Sequence, residues 1–213
     1  MTQKAIFFDL DGTLTDSGEG IINCATLALN HFGLHVPSRE EMRVFVGPPL
    51  DQTFIRFGVP ADQTAEAIRV FRSRYMTVGK FENFPYPGVK EMLETLKSQG
   101  HRLFVATSKP EIQAKDILHH FEMDGYFEKI CGATMDGTRS HKEDVIRYLL
   151  SQVEDVKDIL MVGDTAFDVI GAAAHKIPCI GVTWGYGLAE DMAQAGAIAL
   201  VHTMPELVEK INE

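Results

Sequence analysis

Apolar residues change their spacing along the chain, and each change marks an element. The first is an unbroken run, Ala5–Phe8, of the length and richness of a buried strand. It stops at Asp9, with a second carboxylate at Asp11 and then Gly12-Thr13. The pattern next becomes helical: Ile21, Ala25, Ala28, Leu29 and Phe32 recur at i, i+4, i+7, i+8 and i+11, and Gly33 comes next as a stop. Ser38-Arg39-Glu40-Glu41 fits a capping box that opens a short helix, which Gly47-Pro48-Pro49 must end. Another short helix is expected over 50–57. A longer one is expected over 60–76, with Ile68, Phe71 and Tyr75 on one face and Gly79 closing it. From about 17 to 80 the pattern predicts helices and no strand.

After the turn-rich stretch 84–88 the rhythm alternates. Strands are expected over 101–106, 129–132, 159–162, 179–182 and 198–201. Helices between and after them are marked by Val89, Met92, Leu93 and Leu96, then Ala114, Ile117, Leu118 and Phe121. Val145, Ile146, Leu149, Leu150 and Val153 mark the next, then Val169, Ile170, Ala173 and Ala174, residues 188–194, and 205–211. Strands alternating with helices at short spacing predict an α/β fold, a Rossmann-like parallel sheet covered on both faces. The expected domains are an α/β core from 1–16 and 84–213, and an all-helical insertion over 17–83 after the first strand.

Composition narrows the class of partner. The 213 residues, 45% of them hydrophobic, suffice for one domain with an insertion. A formal charge of −10, with no basic block to relieve it, argues against nucleic acid or an anionic membrane as partner. Cys24, Cys131 and Cys179 are few and far apart, which predicts buried thiols in a reducing compartment. No secretory leader and no apolar run of about 18 residues is present, so a soluble cytoplasmic protein, monomer or homodimer, is expected.

Candidate chemistry gathers at the strand ends. Asp9 and Asp11 would share one side of an extended segment, at the carboxyl end where open parallel sheets place ligands. Two carboxylates so close require a metal, a cationic ligand or a shared proton; a solvated Asp-Gly turn is the plainer alternative. Thr107 and Ser108 end the second strand, and Asp164 the fourth, with Asp168 four residues later. Lys142 starts the helix before that strand. Taken singly, Thr107 and Ser108 could cap a helix, Lys142 could be a surface lysine, and Asp164 and Asp168 could be a cap and a helix residue. Together they supply oxygen ligands for Mg²⁺, hydroxyl and backbone donors for a phosphate, and a balancing cation.

These motifs resemble those of the haloacid dehalogenase-like hydrolase superfamily: DxDGT at Asp9–Thr13, an apolar strand ending at Thr107, a lysine at Lys142, and GDxxxD from Gly163 to Asp168. The resemblance implies that Asp9 is a nucleophile forming an aspartyl-phosphate and Asp11 the general acid and base. It implies Mg²⁺ held by Asp9, the main-chain carbonyl of Asp11, and Asp164, with Asp168 in support. Thr107, Ser108 and Lys142 would bind the phosphoryl group. Asp11 at the second position favours phosphoryl chemistry over dehalogenation.

The helical insertion falls where this superfamily carries a helical cap that closes over the site. Val46-Gly47-Pro48-Pro49-Leu50 resembles the substrate-facing cap loop of phosphoglycolate phosphatase-like members, which makes Gly47 and nearby Arg43 candidates for substrate contact. The stretch 132–142 departs from the common Gly-Lys-Pro-x-Pro pattern and is more similar to 5′-nucleotidase-like members, with Arg139 a further candidate. The implied function is a Mg²⁺-dependent phosphatase acting on a small phosphorylated metabolite. A sugar-phosphate mutase and a non-catalytic phosphometabolite-binding protein are the alternatives. Trp184 would line the entrance or pack in the core.

Overall fold

The computed structural model of the protein describes residues 3–213. In chain order, β1 (Ala5–Phe8) leads to a short β2 (Thr15–Asp16). Helices α1 (Gly18–His31), α2 (Leu50–Arg56) and α3 (Thr64–Tyr75) come next, then β3 (Phe84–Pro85) and α4 (Val89–Ser98). Alternation then sets in: β4 (Arg102–Pro110), α5 (Glu111–His120), β5 (Lys129–Ala133), α6 (Lys142–Gln152), β6 (Ile159–Gly163) and α7 (Ala166–Ala173). β7 (Cys179–Val182), α8 (Ala189–Gln194), β8 (Ala199–Val201) and α9 (Met204–Asn212) complete it. The chain forms two compact units. One is Asp16–Phe84; the other is Pro85–Glu213 together with the chain up to Thr15.

In the larger unit six strands form a sheet in the order β5-β4-β1-β6-β7-β8, and every pairing is parallel. β1 lies in the middle, with Phe7 level with Phe104 on one side and Met161 on the other. The chain builds outward through β4 and β5, then crosses back to β6 on the other flank of β1. The carboxyl end of β1 therefore sits at the topological switch point, where such sheets open a crevice.

Strand alternation feeds two cores. Ile6 and Phe8 pack with apolar residues of α4, α5 and α9, such as Leu93, Ile117 and Leu207. Ala5 and Phe7 face Val145, Ile146, Leu149 and Val169 of α6 and α7, with Met192 of α8. Burial on both faces explains why β1 reads as a continuous apolar run rather than an alternating one.

β4 exceeds its expected end. It continues past Thr107 to Pro110, with a shift of register against β5 between those two residues. The reason lies across the ladder. A Cβ on Gly132 would stand 2.5 Å from the Lys109 carbonyl oxygen and 2.7 Å from Glu111 Cα. Only glycine there lets the end of β4 come so close.

The smaller unit is built on an aromatic cluster. Phe45 lies against Phe54 and Phe57, with centroids 5.1 and 4.8 Å away, and Phe71 stacks on Tyr75. α1 ends at the predicted glycine: Gly33 takes φ +65° and the Leu34 N–H returns to Leu29 O, the bond pattern of a Schellman stop. The Ser38–Glu41 capping interaction forms, with Glu41 N donating to Ser38 Oγ and Ser38 N to Glu41 Oε2. Residues Glu41–Phe45 then form a 3₁₀ turn rather than an α-helix, since five residues before Gly47 are too few. Gly79 does not close the helix. α3 ends at Tyr75, and Gly79 is needed because a Cβ there would meet Cys24 Sγ on α1.

Candidate active site

The chain leaves β1 by a tight turn. The Asp9 N–H makes the last rung, to Val162 O at 2.9 Å. Leu10 is fully buried, and its carbonyl collects the N–H groups of Thr13, Leu14 and Thr15. Gly12 takes φ +82°, which a side chain would resist, and a Cβ there would also collide with the Asp164 carboxylate. Asp9 faces Asp164 and Asp168, whereas the Asp11 carboxylate goes to a different partner.

Asp9, Asp164 and Asp168 are buried, and each offers a carboxylate oxygen, all within 4.8 Å of one another. Asp9 Oδ1 accepts from Leu10 N at 2.7 Å and from Lys142 Nζ at 2.9 Å. Asp164 accepts from Thr13 Oγ1 at 3.1 Å and from Tyr186 N at 2.8 Å. Asp168 does two things at once. Its Oδ2 accepts from Thr165 N and Oγ1, completing the capping box of α7, and its Oδ1 meets Lys142 Nζ at 2.7 Å. The helix cap is Thr165, not Asp164, and Asp168 closes the capping box while facing the carboxylate cluster.

Lys142 is the first residue of α6, but it is buried, not a surface lysine. Its ammonium bridges Asp9 and Asp168 and donates to Ala106 O at 3.0 Å. Burial pulls its pKa down, but the two carboxylates outweigh burial and hold it above the usual lysine value. For Asp164, burial first and then repulsion from Asp168 and Asp9 push the carboxyl well above its usual range. Asp168 is raised by burial too, against the pull of Lys142.

Sequence reasoning missed a second buried cation. Lys109 Nζ lies 2.5 Å from Asp11 Oδ2, with both side chains largely enclosed. Counting charges, Asp9, Asp11, Asp164 and Asp168 face Lys109 and Lys142, four against two. The surplus is two negative charges, concentrated where Asp164 has no ammonium. An oxygen-only donor set with that surplus fits a hard divalent cation such as Mg²⁺. Gly185 belongs to this cradle as well, since a Cβ on it would strike the Asp164 side chain.

Thr107 is buried at the same sheet edge, and its Oγ1 accepts from Lys109 N at 3.2 Å. Ser108 comes next, half-buried. Neither caps α5, whose N-cap is Pro110. Arg139 is bound into the protein: it donates to Gly132 O at 2.7 Å and Glu111 Oε2 at 2.9 Å, and lies 3.7 Å over the Tyr148 ring. Those contacts tie the guanidinium to β5, α5 and α6. Arg43 and Gly47 are exposed in the smaller unit, and Gly47 takes φ +103°. Trp184 packs against the core and donates from Nε1 to Thr13 O at 3.1 Å, steadying the turn after Asp11. The signal for Lys109 was its place in Thr107-Ser108-Lys109-Pro110; only the register shift of β4 turns it toward Asp11.

Known proteins of similar sequence and fold point to one family. The family described as haloacid dehalogenase-like hydrolase matches residues 6–182. A protein of Pseudomonas aeruginosa named 5′-nucleotidase is 42% identical over 189 residues, covering 88% of this chain and 86% of its own. A Mycobacterium tuberculosis protein named tyrosine-protein kinase PtkA is 41% identical over 98% of this chain and 72% of its own. The crystal structure of a predicted phosphatase from Clostridium acetobutylicum superposes with a TM-score of 0.94, at 41% identity, over 100% of this chain and 99% of that one. The chain belongs to the haloacid dehalogenase-like hydrolase family, as an enzyme of the phosphatase type.

Proposed function

We propose that this haloacid dehalogenase-like hydrolase is a Mg²⁺-dependent phosphatase that cleaves a small phosphorylated metabolite through a phosphoryl group carried on Asp9. One observation carries the reading: a fully enclosed Lys142 joins Asp9 to Asp168 beside an Asp164 that lacks a cation of its own. A carboxylate attacks a phosphate dianion poorly unless positive charge offsets the repulsion. Asp9, the Asp11 main-chain carbonyl and Asp164 would hold Mg²⁺, with Asp168 supporting. When bound, the ion would supply charge stabilisation for the phosphoryl oxygens.

The chain's own groups do the rest. Leu10 N–H and Lys142 anchor Asp9 Oδ1 and leave Oδ2 for attack on phosphorus. As the Oδ2–P bond forms, the ester P–O bond breaks and the leaving oxygen takes a proton from Asp11. Water then attacks phosphorus, gives a proton to Asp11, and the bond to Asp9 breaks, releasing phosphate. Thr107 and the Ser108 backbone hold the phosphoryl oxygens, and Lys142 joins them by turning one of its three N–H donors from its present partners to the incoming phosphoryl group. Arg43 and Gly47 of the smaller unit are the proposed substrate contacts.

Nucleoside 5′-monophosphates and phosphoglycolate are the first substrates to try in a phosphate-release assay with Mg²⁺. Asp9→Asn is expected to lower turnover on the order of 10⁴-fold or more, with an unchanged circular dichroism spectrum. Retained turnover would rule Asp9 out as nucleophile. The relative named as a tyrosine-protein kinase favours a second reading, in which the phosphoryl group passes to another hydroxyl. A sugar-phosphate mutase is a further case of such transfer. Free phosphate equal to substrate consumed excludes both, whereas a shortfall matched by a phosphorylated acceptor supports transfer.

A further inference from the structure

The Lys109–Asp11 pair is not explained by the chemistry above, which needs Asp11 but not a lysine bonded to it. Three features of the larger unit combine here. The register shift at the end of β4 breaks the regular alternation after Thr107, and such irregularities re-aim side chains next to sites. Gly132 on β5 leaves room for the Lys109 backbone. The ammonium then meets Asp11 Oδ2 at 2.5 Å, with the side chains only 5% and 13% exposed. The other oxygen, Asp11 Oδ1, is buried and takes no hydrogen bond from the described residues.

We propose that Lys109 is the positioning residue for Asp11: it holds the carboxylate by Oδ2 so that Oδ1 is the oxygen that exchanges the proton. This rests on Asp11 acting as acid and base. A carboxylate on a turn has two χ angles to settle, and a buried ion pair settles them before substrate arrives. The proton path is set by that hold. Oδ1–H gives its proton to the leaving oxygen as the ester P–O bond breaks, and Oδ1 accepts a proton from the attacking water when the phosphoryl group leaves Asp9. Lys109 keeps its own protons and never bonds to phosphorus.

The test compares two substrates. An alkyl phosphate needs a proton on its leaving oxygen, whereas p-nitrophenyl phosphate releases a stable anion and needs none. Lys109→Met is expected to lower kcat/KM, which reports the steps up to loss of the leaving group, by on the order of 10²-fold on the alkyl phosphate. On p-nitrophenyl phosphate it should lower kcat/KM less than about tenfold, while the later attack of water, common to both substrates, slows kcat on both. Lys109→Arg should retain the wild-type ratio between the substrates, and Asp11→Asn combined with Lys109→Met should be no slower than Asp11→Asn alone. A crystal structure of Lys109→Met should show the Asp11 carboxylate displaced. Equal losses of kcat/KM on both substrates for Lys109→Met, an additive double variant, or an unmoved Asp11 overturns the proposal. Should Lys109→Met fail to fold, Lys109→Arg decides: a large loss that ignores the leaving group counts against it. If Asp11→Asn itself loses equally in kcat/KM on both substrates, the acid role of Asp11 fails first, a result distinct from failure of Lys109.

Discussion

At the scale of single residues, Asp164 shows a conflict between stability and function. It is fully enclosed, its two hydrogen bonds come from Thr13 and Tyr186, and no lysine reaches it among the described residues. Burial and neighbouring carboxylates disfavour its charge. Asp164→Asn keeps the shape and removes that charge. In the absence of divalent metal the variant is expected to be more stable than the parent by about 1–3 kcal/mol in urea unfolding. It should also be inactive and gain nothing from added Mg²⁺. A variant less stable than the parent without metal would mean that the charge is already compensated. The residue scale is also where sequence patterns mislead most. Arg139 reads as an available cation in a loop, yet Glu111, Gly132 and Tyr148 engage it. Lys109 reads as a loop lysine, yet it is buried against Asp11. The Arg139–Glu111 and Lys109–Asp11 pairs join residues 28 and 98 positions apart, and no local spacing encodes them.

At the scale of elements, capping and periodicity were legible where local geometry decides. Gly33 stops α1, and Ser38 and Glu41 pair as their spacing suggests. Where a second element decides, the sequence was silent: Gly79 answers to Cys24 on α1, and Gly132 to the end of β4. The segment after α3 is fixed in the same non-local way. Arg74 donates two hydrogen bonds to Glu82, at 2.6 and 2.7 Å, and Asn23 of α1 adds a third at 3.2 Å. Arg74, the largest influence, holds the Glu82 pKa below its usual 4.5. A depressed carboxylate pKa means stability that is present above 4.5 and lost as pH falls through the folded-state value. Glu82→Gln should therefore cost about 1 kcal/mol near neutral pH, and the gap from the parent should close below pH 4.5. Thermal unfolding across pH 3–8 checks it; a gap independent of pH would assign the loss to packing instead.

At the scale of the whole molecule, two buried negative charges in surplus link metal binding to folding. Saturating Mg²⁺ at about 100 times its Kd should stabilise the protein by about 2.7 kcal/mol, a rise in Tm of about 5–10 °C for a chain of this size. A chelator should reverse it, and an unmoved Tm would count against the metal fit. The sequence by itself determined a good deal of this protein. Apolar periodicity set the alternation of strands and helices, and thereby a parallel sheet with a helical insertion after β1. The DxDGT and GDxxxD spacings marked Asp9, Asp164 and Asp168, because each motif is a strand end joined to a turn, and such local geometry is written locally. Tertiary structure alone decided which groups meet. The tertiary fold gathers Asp9 with Asp164 and Asp168, and the shifted end of β4 brings Lys109 to Asp11. The fold of α6 against the sheet buries Lys142 between two carboxylates that lie 133 and 26 residues away along the chain. Charge neutralisation acts through space, so its partners are set by the packing of elements and not by their order.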